Sequence, residues 1–242
     1  LGLCRELGIA IPVGKDSLSM RTEWQEGGET RSVVAPLSLI VSAFAPVTDA
    51  RRTLTPQLQP QETDLLYLVD LAAGEQRMGG SALCQVMQRD GGPAPDVVSA
   101  ALLRSGFEFI QEANAAGWLQ AYHDRSDGGL YAAVCEMSFA GRCGVEIEVP
   151  AGDALRWLFN EELGVVVQVA ASAAKAFAEA AERHGLGAWV RRIGLPDAGQ
   201  QIRFSRAGET LFSADRANLQ QTWAELSYRL QAERDHPLTA RQ

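Results

Sequence analysis

The sequence predicts an α+β protein, a mixed β-sheet covered by helices, with a shorter separate segment in front of it. Beyond residue 62, apolar runs of strand length alternate with stretches of helical period, but not in the strict strand-helix-strand order of a parallel sheet. A stretch rich in threonine and proline, TDARRTLTPQLQPQET, has no apolar period and divides the chain near residue 60. The 242 residues, 46% hydrophobic and 21% charged, are enough to bury a core without disulfide support.

In chain order, Leu3, Cys4 and Leu7 sit at helical spacing and stop at Gly8. IAIPVG reads as a short strand that enters the loop GKDSLSM. EWQEGGETRSV has the charge and glycine content of an exposed hairpin, and APLSLIVSAFAPV reads as a strand buried on both faces. After the linker, DLLYLVDLA is a strand, and a glycine loop opens a helix for which Ser81 is the N-cap. A second helix runs through residues 95–118, with Val97, Ala101, Leu102, Phe107, Phe109 and Ile110 as its apolar stripe. The strand LQAYHD, the turn RSDGG and the helix LYAAVCEMSFAG come next. GVEIEVP alternates as a half-exposed strand, DALRWLFNEEL is a short helix, and GVVVQVA is a buried strand. An alanine-rich helix ends at Gly185, two strands follow with a turn at Ala207 and Gly208, and LQQTWAELSYRLQAERD is the final helix.

Composition excludes several function classes. A net charge of −8 argues against a phosphate-backbone binder, because nucleic-acid affinity comes mainly from Lys and Arg. The four cysteines show no C-x-x-C spacing and read as buried thiols of a reducing compartment rather than a zinc site. With no bilayer-length apolar run and no signal-peptide pattern, the chain reads as cytoplasmic. It opens without Met, at what reads as the end of a helix, as an excised piece of a longer protein would.

GKDSLSM is not a Walker A loop, because position 10 is Ala and position 16 is Asp. It reads as a polar turn in which Asp16 and Ser17 bond local amides, with Lys15 unassigned. MGGSAL places two glycines before a helix N-terminus, a weak signal for an anion. AYHDRSDGGL is the richest segment. Asp124 and Ser126, two apart in extended chain, share a face at a strand end, where ligands of α/β sheets commonly bind, and carboxylate oxygen suits Mg2+. The structural alternative has Asp127 or Ser126 capping the next helix and Asp124 pairing with Arg125 or another arginine, and the two readings coexist if Asp127 caps while Asp124 and Ser126 face a ligand. His123 falls on the other face as a satisfied core histidine. In FNEELG, Glu161 and Glu162 serve either a metal or ribose hydroxyl, or helix-end solvation. No Ser/His/Asp triad or H-E-x-x-H motif is present, so no catalytic residue is assigned.

PVGKDSLSM, PLSLIVSAFAPVTDARRTLTPQL, GGSAL, AYHDRSDGGL and FNEELGVVVQV, in this order, resemble the large, single-chain type of phosphoribosylformylglycinamidine synthase. That family is similar to the aminoimidazole ribonucleotide synthetase superfamily. The resemblance implies that residues 1–50 are the end of a second N-terminal-type domain, 51–62 a linker, 63–235 a C-terminal-type domain and 236–242 a tail. It implies an ATP-dependent amidation of formylglycinamide ribonucleotide with glutamine-derived ammonia, in purine biosynthesis. It further implies a pseudo-symmetric, structural Mg2+ and ATP/ADP site in which Asp124 is a metal ligand and Ser126 a nucleotide contact. The other metal ligands, the catalytic histidine and the glutaminase domain are implied to be other parts of the same protein, leaving this piece inactive alone. The alternatives are a non-catalytic nucleotide-binding module and another superfamily member, such as a kinase or selenophosphate synthetase.

Overall fold

A computed structural model describes residues 2–15, 20–35, 38–60 and 63–239. The chain divides into two compact units, residues 1–51 and 52–242. The first holds a short helix α1 (Gly2–Leu7) and a hairpin of β1 (Arg21–Glu26) and β2 (Glu29–Val34). Gly27 and Gly28 turn the hairpin with φ of 60° and 85°, values that favour glycine in a tight two-residue loop. Its ladder runs from Arg21 opposite Val34 to Glu26 opposite Glu29.

Two strand expectations fail in this unit. Residues 9–15 and 38–47 carry no strand, and Leu39, Ile40 and Phe44 are 89%, 90% and 95% exposed. The reason is pairing: β1 and β2 pair only with each other, so the β-branched run finds no ladder partner and no apolar layer among the described residues of the unit. Asp16 to Ser19 of the GKDSLSM loop, and residues 36 and 37, lie outside the described residues.

The second unit is built on a seven-stranded sheet. Its strands are β3 (Leu65–Asp70), β4 (Leu119–Asp124), β5 (Gly144–Glu148), β6 (Gly164–Val169), β7 (Val190–Asp197), β8 (Gln201–Arg206) and β9 (Glu209–Asp215). They lie in the order β4-β6-β3-β7-β5-β8-β9, and only the β5–β8 pair is parallel. The helices are α2 (Ala82–Val86), α3 (Ala100–Ala115), α4 (Gly129–Gly141), α5 (Ala154–Phe159), α6 (Ala174–Arg183) and α7 (Arg216–Arg234). This is the mixed, helix-covered α+β sheet expected from the sequence.

Alternation along the strands sends side chains to two cores. One face puts Leu66, Leu68, Ile147, Val166 and Phe204 against Leu130, Val134 and Met137 of α4 and Trp157 of α5. The other puts Val69, Val165, Val167 and Val169 against Phe109 of α3 and Phe177 of α6, whose rings lie 4.8 Å apart. Every residue of β6 is buried, as its apolar run predicted.

Several local expectations hold. Ser81 caps α2 by accepting from the Cys84 amide, and Ala207 and Gly208 form the β8–β9 turn with φ of 49° and 83°. Asp153 caps α5 through the amides of Leu155 and Arg156, so Asp153→Ala should cost about 1 kcal/mol in denaturant unfolding. An unchanged midpoint would refute the cap.

Other details differ. The α3 stripe is set by Ala100, Gly106, Phe109 and Ala113, and Phe107 is 64% exposed. Gly106 lies against Leu71, the residue after β3, where an added Cβ would come 2.4 Å from Leu71 Cδ2, so the small residue sets the buried face. Within the linker stretch, Leu58 is 1% exposed and belongs to the core. The neighbouring Gln59 backbone amide and carbonyl are both bonded by the buried Gln168 side chain at 2.9 Å. Of the cysteines, Cys135 and Cys143 are buried, while Cys4 and Cys84 are half-buried.

Candidate functional site

The AYHDRSDGGL segment leaves the sheet at the end of β4, an edge strand paired with β6 from Tyr122 opposite Val167 to Asp124 opposite Val165. Tyr122 and Asp124 share a face, and the Tyr122 hydroxyl donates to Asp124 Oδ1 at 2.6 Å. Burial, then that hydrogen bond and the Asp124 charge, push the phenol well above its ordinary pKa, so Tyr122 stays protonated and orients the carboxylate. His123 alternates away. Its Nδ1 lies 2.7 Å from the Asp124 carbonyl and its Nε2 lies 2.9 Å from Glu136, which also accepts from Trp223 Nε1. Both ring nitrogens are engaged, which fits a satisfied structural histidine.

Arg125 is not the partner of Asp124. Its side chain is 3% exposed and pairs with Asp70 at 2.8 Å, while Nε donates to the Glu162 carbonyl and Nη2 to the Leu163 carbonyl. The cause is the strand alternation that sends residue 125 inward while Asp124 and Ser126 remain exposed.

The start of α4 also differs from expectation. Its N-cap is Gly128, at φ 80°, with no side-chain cap, so neither Asp127 nor Ser126 performs that role. A distant residue supplies the negative charge: Glu161 Oε1 accepts from the Gly128 amide and from the Ala82 amide at the start of α2, each at 2.8 Å. The anion position that MGGSAL offered is thereby taken by the chain's own carboxylate. Gly79 in that loop serves close packing, since an added Cβ would fall 2.1 Å from the Gly92 carbonyl oxygen.

Glu162 is fully buried and bonded by Arg77 through Nε at 2.6 Å, Nη2 at 2.8 Å and the backbone amide at 3.0 Å. Burial alone would raise its pKa. The Arg77 bonds, with the Arg77 and Arg125 charges, outweigh that and hold the carboxyl below the ordinary range. Glu162 therefore completes an internal ion pair, and Glu161 a helix-start contact. Asp70 and Arg77 belong to this arrangement but were missed in the sequence, where a charge at the end of a strand or in a glycine loop looks solvated.

Asp124 and Ser126, the two residues assigned to a site, line one cavity of about 600 Å³. Its lining combines apolar side chains, Leu71, Leu103, Phe107 and Ile110 among them, with polar ones that include Arg52, Gln111, Asn114, Tyr122, Asp124, Arg125 and Ser126. The size and the mixed lining suit a small ligand with an apolar part and a polar part. A second cavity of about 760 Å³, lined by Leu68 and Trp157, opens on the opposite face of the sheet, and Arg125 borders both.

Among the described residues no three His, Cys, Asp or Glu side chains cluster as a metal cage. The donor set fits Mg2+ held by one carboxylate, with phosphate oxygens and waters as its other ligands. Cys135 offers no nucleophile, since burial lifts its thiol to about 12.

Comparison with known proteins gives two family matches. Residues 61–202 match the model for AIR synthase related protein, C-terminal domain, and residues 1–46 match the FGAR-AT PurM_N-like domain. Among solved structures, phosphoribosylformylglycinamidine synthase II from Thermotoga maritima aligns with a TM-score of 0.62 at 12% identity, over 90% of this chain and 34% of that one. T. maritima PurL complexed with FGAR aligns at 0.60 and 12% identity, over 90% and 36%. The same enzyme complexed with ATP aligns at 0.56 and 13% identity, over 78% and 28%. The chain thus spans about a third of the length of these structures, and at such identities the likeness establishes the fold.

Proposed function

The chain belongs to the AIR synthase related family through its C-terminal domain, and from that premise we propose that it is part of a glutamine-dependent phosphoribosylformylglycinamidine synthase whose share of the work is one wall of a Mg-nucleotide site. The match of residues 1–46 to an FGAR-AT domain supports this member of the superfamily. In the proposed reaction, ammonia from glutamine replaces the formamide oxygen of formylglycinamide ribonucleotide, with ATP converted to ADP and phosphate. The proposal keeps the division into residues 1–50, 51–62, 63–235 and 236–242. It also places further synthase and glutaminase domains as partners within the same protein, and this chain alone as inactive. No helix among the described residues is long and apolar enough to cross a membrane, and a cytoplasmic location is part of the same proposal.

The observation that carries the reading is the joint placement of Asp124 and Ser126 on one cavity. Asp124 would hold the metal while Tyr122 keeps one carboxylate oxygen in a hydrogen bond. The Ser126 hydroxyl would contact the nucleotide, and Leu103, Phe107 and Ile110 of α3 would offer apolar contact to its base. The bound metal would supply charge neutralisation of phosphate oxygens. A holding role is favoured over a general-base role because His123 is engaged at both nitrogens and the raised pKa keeps Tyr122 protonated.

The test is calorimetry with Mg-ADP on the complete gene product that carries this chain. Asp124→Asn should lower affinity by roughly 10- to 100-fold, the cost of losing a charged ligand group worth about 1.5–3 kcal/mol. Unchanged stoichiometry and affinity would sink the proposal.

A further inference from the structure

We infer that Arg125 is the positioning residue of the metal side of this site: its buried guanidinium fixes the direction in which Asp124 presents its carboxylate to the cavity. The inference rests on the reading of Asp124 as the metal contact and Ser126 as the nucleotide contact.

The argument begins with alternation. Asp124 and Ser126 are exposed, and the residue between them is 7% exposed, so the segment is anchored by its middle member. The Arg125 amide prolongs the β4–β6 ladder by donating to the Gly164 carbonyl at 2.8 Å. The side chain adds three bonds: Nε to the Glu162 carbonyl at 2.6 Å, and Nη2 to the Leu163 carbonyl and to Asp70 Oδ1, both at 2.8 Å.

The receiving carboxylate is itself held: Asp70 accepts from the Ala72 amide at 3.2 Å and the Gly74 amide at 2.9 Å. Room for the guanidinium comes from Gly164, where an added Cβ would lie 3.1 Å from Nη2 and 3.2 Å from Cζ. The planar fork is needed because three acceptors converge on it, one from the end of β3 and two from the connection that leads into β6, a geometry that the point charge of lysine does not reproduce. The flanking side chains are exposed: the Asp124 carboxylate is held by the Tyr122 hydroxyl, and the Ser126 backbone carbonyl accepts from the Gly129 amide at 2.9 Å, so the buried side chain between them is the segment's link to β3.

A purely structural ion pair would make a different prediction from a positioning residue, and the metal separates them. In the complete gene product, ADP affinity is measured in Mg2+ and in EDTA for the wild type, Asp124→Asn, Arg125→Gln and Arg125→Lys. Asp124→Asn should abolish the Mg2+-dependent gain, which tests the site itself. Arg125→Gln should reduce affinity in Mg2+ by roughly 10- to 100-fold, the size of effect that follows when a metal ligand loses its orientation, with affinity in EDTA unchanged. Arg125→Lys should recover only part of it.

Equal losses with and without metal, or no loss, would overturn the positioning role while Asp124→Asn still upholds the site. If Asp124→Asn behaves as wild type, the site reading falls and the inference falls with it. Should Arg125→Gln lack a thermal transition, Asp70→Asn carries the same comparison, because it weakens one of the three bonds and leaves both carbonyl contacts. A metal-selective loss supports the inference, and a metal-independent change or none refutes it.

Discussion

Gly129→Ala is expected to destabilise the protein by roughly 2–5 kcal/mol, combining the cost of a left-handed backbone for an L-residue with that of an overpacked contact. Gly129 has φ 67°, and a Cβ there would meet the Asn160 carbonyl oxygen at 2.6 Å, the Leu158 carbonyl oxygen at 2.7 Å and the Phe159 carbonyl carbon at 2.8 Å. These are backbone atoms at the end of α5, so a rotamer change cannot relieve the clash. The α5–β6 connection would have to move, and it carries Glu161 and Glu162 with it. Gly185→Ala is the control: φ is 70° but nothing lies within 4 Å, so only the conformational cost of about 1–2 kcal/mol remains. Denaturant unfolding that gives the two variants equal losses would refute the close-approach argument.

The second large effect is expected from Glu162→Gln, at roughly 3–5 kcal/mol, the cost of breaking a buried ion pair by removing one partner. Gln keeps the volume but turns an amide NH2 toward the donors of Arg77 and removes the negative charge that faces both Arg77 and Arg125. Replacing both partners, as in Glu162→Met with Arg77→Met, should cost less than the single change, because no buried charge is then left alone.

This pair also gives a pH signature. The folded carboxyl lies below its ordinary value, so its contribution is complete above the unfolded pKa and is lost as pH falls through the lowered folded one. The wild type should therefore lose stability on the acid side of the ordinary carboxylate range. In Glu162→Gln the same acid limb should be flatter, and parallel limbs in the two proteins would count against the assignment.

Which parts of this molecule could be read in advance follows the range of the interaction concerned. Ser81 reaches an amide three residues on, and the Ala207–Gly208 turn closes within a hairpin, so both were legible. The all-buried β6 announced itself by composition. The apolar run at 38–47 carried the same signal and forms no strand, because a strand also needs a neighbour. For α3, the helix was evident but its buried face was not: close approach of Gly106 to Leu71 set it, and Phe107 was left exposed.

The candidate site shows the same division within seven residues. HDRSDGG, with Asp124 and Ser126 two apart, determines that two oxygen-bearing side chains share a face at a strand end, because extended backbone alternates whatever surrounds it. Tertiary structure decided who serves whom. Arg125 went to Asp70, 55 residues away, and the helix start that Asp127 was expected to cap went to Glu161, 33 residues on. Local geometry is set by the chain's own stereochemistry. The choice among competing charged partners is made by burial, where a carboxylate or guanidinium must find its counter-charge on whichever element the fold brings against it.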